Sequence, residues 1–275
     1  ETRELGRVVE RLIWLTLSPQ SRYQFHPLLF KKLLLIVYAT SDDYLLFGTG
    51  GGPDVTPLDD WFAAPGAAYS WKIVVSSFGQ FLPPFLKKRI EDASDKMGQL
   101  FYERSLREMV SSTSYPSGYA TYCNRDISFA EILVNSGQFR NNQTWLDRGN
   151  LIIGLVLSPF VLYPDGAYAY IGNQNEVASY HGATTNSLAK LFAVTNQNNI
   201  LTSIANAKNY ELINIEESFV NEFYHVPVWK TQWNGFSGAS GINLLYISNS
   251  PHLKTFYERN DIEFGKSYEP IDLSF

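Results

Sequence analysis

The chain has 275 residues, 45% hydrophobic and 15% aromatic, enough apolar material for one large domain or two of ordinary size. Its formal charge is -5, and no basic field exists to neutralise phosphates: residues 1–110 hold 13 basic and 13 acidic side chains, residues 111–275 hold 9 and 14, which disfavours nucleic-acid binding. A single cysteine excludes an intrachain disulfide and any multi-thiolate metal site.

Leu5, Val8, Val9, Leu12, Ile13 and Leu15 recur at mostly helical spacing over residues 1–17, and Ser18-Pro19 supplies a stop. The chain begins at Glu1 without a methionine, as expected of a processed or excised product. A second helix is expected over about 27–39. The segment "HPLLFKKLLLIVYAT" (26–40) is apolar, but Lys31 and Lys32 interrupt it, and a membrane span needs roughly 20 apolar residues. A buried helix and no membrane span are the expectation. The run "YLLFG" leads into the loop "TGGGPDVTPLDDW", whose glycines lack the Lys-Ser/Thr that a phosphate-binding loop places at a helix start. Residues 84–110 form the longest amphipathic pattern, with Phe85, Ile90, Met97, Leu100, Phe101, Leu106 and Met109 as inward positions. Pro83 and Pro84 suit its start, and a Ser/Thr-rich stretch after Val110 suits its end.

Composition changes near residue 110, and the remainder is richer in Asn, Tyr, Gly and Ser with β-like runs. "LIIGLVL" (151–157) is a short buried apolar run, and "AYAYIGNQNEVASYHG" predicts two strands joined by an Asn-Gln-Asn turn. Helices are expected over 186–194 and about 199–208, with a short one at "ESFVNEF" (217–223). "INLLYIS" (242–248) predicts a strand and "PHLKTFYERN" (251–260) a helix. The fold class expected from this pattern is α+β. A mainly helical region (1–110) precedes a mixed α+β region (111–275) with an antiparallel sheet and the candidate site.

Cys123 lies in "SSTSYPSGYATYCNRDISFAEIL" (111–133), between a Pro-Ser-Gly turn signal and the start of a helix in which Ile127, Ala130, Ile132 and Leu133 are available for packing. A helix N-terminus favours the thiolate, the reactive form of cysteine. A catalytic cysteine also needs a base, and the histidines are His26, His181, His225 and His252. His181 closes the second strand of the expected hairpin, where an imidazole could be held against a helix-borne thiol. The segment "TYCNRDISFAEILVNSG" resembles the nucleophile helix of papain-like cell-wall peptidases and amidases of the NlpC/P60 and CHAP type. That resemblance implies a cysteine hydrolase of peptide or amide bonds with Cys123 as nucleophile and His181 as general base. It leaves the imidazole-orienting group open, with Asn196 or Asn198 as candidates. The structural alternative is that Cys123 is a small buried hydrophobe, the commonest role of a lone cysteine.

Other motifs are weaker. "YPSGYAT" (115–121) resembles the Pro-Ser-Gly-His motif of acid phosphatases and vanadium haloperoxidases, but Tyr119 stands in the histidine position. "SYHG" (179–182) resembles the His-Gly that opens the NAD site of diphtheria-toxin-like ADP-ribosyltransferases, which would enlist Tyr210, Tyr224 and one of Glu258, Glu263 or Glu269. "SLAK" (187–190) and "KTQ" (230–232) lie too close together for a penicillin-binding enzyme. His181 and His225 lack metal-ligand spacing, so no metal and no cofactor are expected. Tyr163, Tyr168, Tyr170, Tyr180, Tyr224, Trp229 and Trp233 crowd the second half, a composition suited to a peptide, glycan or protein partner. The second functional class is therefore a non-enzymatic structural or interaction subunit, such as a virus or phage assembly component.

Overall fold

The computed structural model describes residues 2–48, 61, 63–110, 123–170, 174–175, 178–213, 215–217 and 223–225. Eight helices dominate them: α1 (Thr2–Leu17), α2 (Pro27–Phe47), α3 (Ala64–Phe78), α4 (Pro84–Val110), α5 (Cys123–Arg140), α6 (Gln143–Val156), α7 (Ala178–Thr195) and α8 (Asn198–Ile213). Extended structure among the described residues amounts to two antiparallel ladders, β1 (Ala169–Tyr170) with β2 (Gln174–Asn175) and β3 (Ile215–Glu217) with β4 (Phe223–His225), and an isolated bridge between Leu162 and Tyr168. Ladders of two and three residues make no sheet layer that could bury a face. Among the described residues the fold is all-α, which corrects the expected α+β class and its antiparallel sheet.

Two compact units are present. The first comprises residues 1–108 and 128–152, the second residues 109–127 and 153–275. Helix α5 gives its first five residues to the second unit and the rest to the first.

In the first unit α1 packs against α2 and α3. Its buried stripe is Val9, Ile13 and Thr16, whereas Val8 is exposed. On α2 the buried positions Leu33, Val37, Thr40, Ser41 and Tyr44 keep helical spacing past residue 39. Thr40 Oγ1 donates to the Ile36 carbonyl and Ser41 Oγ to the Tyr38 carbonyl, so these hydroxyls stay within the helix and the chain continues to Phe47. Gly48, at φ 74°, then returns its N–H to the Tyr44 carbonyl, and Lys96 Nζ from α4 caps the Leu45 carbonyl at 2.8 Å.

Helix α3 is an element that no amphipathic stripe announces. Ala64, Pro65, Gly66, Ala67, Ala68, Ser70, Trp71 and Val74 are all buried, so its first half is enclosed and built mostly of small residues. Trp71 anchors it: its indole N–H donates to Thr40 Oγ1 at 3.2 Å, and its ring meets Tyr44 edge-on at 5.4 Å.

Helix α4 occupies the span expected for it. Its buried stripe is Leu86, Ile90, Ala93, Met97, Phe101 and Met109, while Phe85 and Leu106 are exposed. The Arg140 guanidinium of α5 grips Asp95 with two bonds of 2.8 and 3.0 Å, and Arg148 of α6 reaches the Ser105 hydroxyl and carbonyl. Asn142 caps α6 by accepting the Trp145 N–H at 3.2 Å. "LIIGLVL", expected as a β-like run, is largely the end of α6. Its branched residues serve a helix because Ile152, Ile153 and Val156 share one buried face.

In the second unit α7 and α8 pack on each other. Helix α7 begins eight residues before the expected 186 and absorbs the second strand of the predicted hairpin. Its buried line of His181, Thr184, Thr185, Leu188 and Leu191 has helical spacing, which overrides the alternation inferred from "VASYHG". Helix α8 buries Ile200, Ser203, Ile204, Ala207 and Tyr210. Residues 215–217 and 223–225 are extended, where part of "ESFVNEF" was expected to be helical. The glycine loop 49–60, the turn at 115–118, the 242–248 strand and the 251–260 helix lie outside the described residues.

Gly98 decides how α6 meets α4. A Cβ there would come within 2.6 Å of Trp145 Cε3, so the indole packs where a side chain would otherwise be. Alanine in a helix is ordinarily worth about 1 kcal/mol over glycine. Gly98→Ala is expected to reverse that sign and destabilise by about 1–3 kcal/mol through overpacking. Gly154→Ala, where nothing lies within 4 Å, is expected to stabilise by about 0.5–1 kcal/mol. Urea denaturation of the two variants checks the pair, and a stabilised Gly98→Ala would contradict the packing.

Candidate functional site

Cys123 is the first residue of α5, and its side chain has 0% exposure. The helix around it is enclosed: Ile127, Phe129, Ala130, Ile132 and Leu133 are all fully buried. Asp126, also fully buried, accepts hydrogen bonds from the Arg125 guanidinium at 3.0 and 3.2 Å. Residues three apart on a helix are neighbours, so Cys123 stands one turn from this Arg125–Asp126 ion pair.

His181 stands in the first turns of α7, not on a strand, and is likewise 0% exposed. Its ring lies between Tyr168 at 5.1 Å and Tyr210 at 4.5 Å, tilted from them by 39° and 35°. Nε2 is 3.1 Å from the Gly166 carbonyl, an acceptor only, so the neutral ring carries its proton on Nε2 and keeps Nδ1 as the basic nitrogen. Tyr168 in turn places its hydroxyl 3.5 Å from Ser203 Oγ of α8.

The turn that brings Gly166 to the imidazole is encoded in "YPDG". The Asp165 carboxylate accepts the Ala167 N–H, the Gly166 N–H bonds to the Tyr163 carbonyl, and Tyr163 N–H to the Ala167 carbonyl. Gly166 has φ 89°. A Cβ at this position would lie 2.9 Å from the Asn206 carbonyl carbon and collide with its oxygen, which fixes the turn against α8. This Pro-Asp-Gly signal, and the helical spacing from His181 to Leu191, are the sequence features that identify the histidine as part of a packed face.

Neither proposed imidazole-orienting residue is near it. Asn196 follows the end of α7, 15 residues along from His181, which at 1.5 Å per residue is about 22 Å. Asn196 and Asn198 are both exposed, the latter opening α8 after a two-residue connection. His26 is exposed at the start of α2, His225 lies in β4, and His252 is outside the described residues. His181-Gly182, considered for an NAD site, is buried within α7, and Glu258, Glu263 and Glu269 lie outside the described residues. Of the aromatic group considered for partner binding, Tyr168 is core, Tyr163 is half-buried, and Trp229 and Trp233 are outside the described residues. Burial and the nearby Asp165 carboxylate push the Tyr163 phenol up from its usual range.

Among the described residues no group of three His, Cys, Asp or Glu side chains is arranged to hold a metal ion. No helix among them is long and apolar enough to cross a membrane. No protein-family model, curated protein or solved structure matches the chain.

Gly166→Ala is expected to destabilise by at least about 2 kcal/mol, because it combines a left-handed backbone with a backbone collision. Urea denaturation measures it, and a loss within a few tenths of a kcal/mol would contradict the turn described.

Proposed function

We propose that the chain is a non-enzymatic interaction subunit in which Cys123 and His181 are core residues. The observation that carries this reading is their complete burial, His181 within an aromatic stack and Cys123 on an enclosed helix. A thiol without access to solvent behaves as a small hydrophobe and not as a nucleophile. A second feature supports an interaction role. The first unit exposes several large apolar side chains, Leu28, Leu35 and Leu46 on α2, Phe81 in the α3–α4 turn and Phe85 at the start of α4. Leu28, Leu35 and Leu46 are seven and eleven residues apart and so share one face of α2, an apolar stripe that suits cover by a protein partner.

The competing reading is the cysteine hydrolase suggested by the papain-like resemblance. Its support is Cys123 at the first position of an 18-residue helix, where the terminal N–H groups favour negative charge. In that chemistry the thiolate attacks a peptide or amide carbonyl and an imidazolium hands a proton to the leaving amine. With Nε2 on the Gly166 carbonyl, Nδ1 of His181 would have to transfer it.

Iodoacetamide at about pH 6 separates the two. The interaction reading expects Cys123 to stay unmodified in the folded protein and to react only after denaturation. Rapid alkylation of Cys123 in the native state would overturn it in favour of the hydrolase.

A further inference from the structure

The α1–α2 and α3–α4 turns lie at one end of the first unit, because the Phe78 ring at the end of α3 meets Phe25, just before α2, at 6.4 Å and Phe30, in its first turn, at 4.7 Å. Three phenylalanines project from that end: Phe25 is 60% exposed, Phe81 75% and Phe85 68%. Phe25 has φ 54°, in the left-handed region that a bulky residue rarely enters. Its N–H donates to the Thr16 carbonyl at 2.8 Å, while Ser21 Oγ donates to the Leu15 carbonyl and accepts the Tyr23 N–H. A braced backbone therefore sets this ring at the tip. The charge of the same end has one sign. Neither residues 11–41 nor residues 61–90 contain an aspartate or glutamate, although the chain as a whole is acidic. Arg22 lies over the Tyr23 ring at 4.7 Å, Lys31 and Lys32 stand about one turn into α2, and Lys87 is in the first turn of α4, all four exposed. Nearby, Lys88 pairs with Asp92 and Arg89 with Asp42.

We propose that this end of the first unit docks on an anionic lipid bilayer, with Phe25, Phe81 and Phe85 inserted at the headgroup boundary and Lys31, Lys32 and Lys87 against the acidic headgroups around them. Lysine is depleted at protein interfaces, where its ammonium would lose hydration. A bilayer surface accepts the same combination, since apolar tips enter below the headgroups while lysine stems lie along them and keep their charge in the polar layer. Anionic lipids add an attraction that grows with each cation held near the surface. Only the turns enter the bilayer, so the contact is peripheral. It is distinct from the α2 stripe, which runs from Leu28 to Leu46, about 27 Å along the helix. Lipid docking goes beyond the interaction reading and does not depend on the burial of Cys123.

The test sediments the full chain with vesicles of phosphatidylcholine alone or of phosphatidylcholine with about 30% phosphatidylserine, at about 0.1 M salt. Binding to the anionic vesicles is expected to be at least about tenfold tighter than to the neutral ones, and to weaken at about 0.5 M salt. Phe81→Ser combined with Phe85→Ser is expected to weaken it at least about tenfold, whereas Leu46→Ser, at the other end of α2, leaves it within about twofold. Anionic vesicles left unbound would overturn the proposal and leave this end to a protein partner. Equal binding to both vesicles, undiminished binding by the double variant, or an equal loss with Leu46→Ser would overturn it as well. Both phenylalanines lie outside the core, so helicity by circular dichroism is expected to be unchanged. Lys31→Gln with Lys87→Gln, expected to weaken anionic binding at least about fivefold, makes the comparison if the double variant does not fold.

Discussion

Helix α5 is enclosed almost throughout its length, and its polar side chains are the constraint to which its surroundings conform. Asp126, Glu131, Asn135 and Ser136 are all taken out of water along with Ile127, Phe129, Ile132 and Leu133. Burying such groups is tolerable only where bonds replace their hydration. Arg125 supplies two to Asp126 and Lys72 reaches Asn135, whereas the Ser136 hydroxyl has no hydrogen-bond partner among the described residues. On the neighbouring α4, Arg104, itself 3% exposed, pairs with Glu108 at 2.8 Å while lying over the Phe101 and Phe129 rings. Removing one member of a buried ion pair typically costs about 3–5 kcal/mol. The aromatic flanks of Arg104 also leave its planar cation packed instead of merely paired.

The second unit meets the same requirement by different means. Its buried histidine has a backbone carbonyl for Nε2 and two tyrosine faces for its ring, and that arrangement depends on one glycine in the left-handed region. The imidazole is thereby oriented by structure belonging to a turn and two helices. Such an arrangement holds the ring as a packing element. It is also the kind of environment that orients a catalytic base, which is why accessibility, not orientation, distinguishes the two functional readings.

What was legible in the sequence follows from where each residue sits. Prolines 83 and 84 and the long amphipathic stripe mark α4, because one face of that helix is exposed and the contrast survives in the pattern. Helix α3 opens on small residues that are buried at successive positions, and α5 buries polar and apolar residues alike, so neither displays the long charged-and-apolar pattern that marks α4. The β-like signals at 151–157 and 176–182 arose from runs of Ile, Leu and Val and from brief alternation, which fit a helix when their packing partners are other helices. The helix start at Cys123 was visible, since it is a local property of turn and helix residues. Burial of Cys123 and His181 was not, because it depends on residues distant in sequence. The spacing from His181 through Thr185 and Leu188 was the available clue to the histidine.

The central claim is that Cys123 is a core residue exposed only when the fold opens. Its most direct test is the rate of Cys123 labelling by a thiol reagent across a series of urea concentrations below the unfolding transition. The opening free energy is expected to fall with urea at the slope of global unfolding measured by circular dichroism. Labelling that is fast and independent of urea in the native range would contradict it and return Cys123 to the role of an accessible nucleophile.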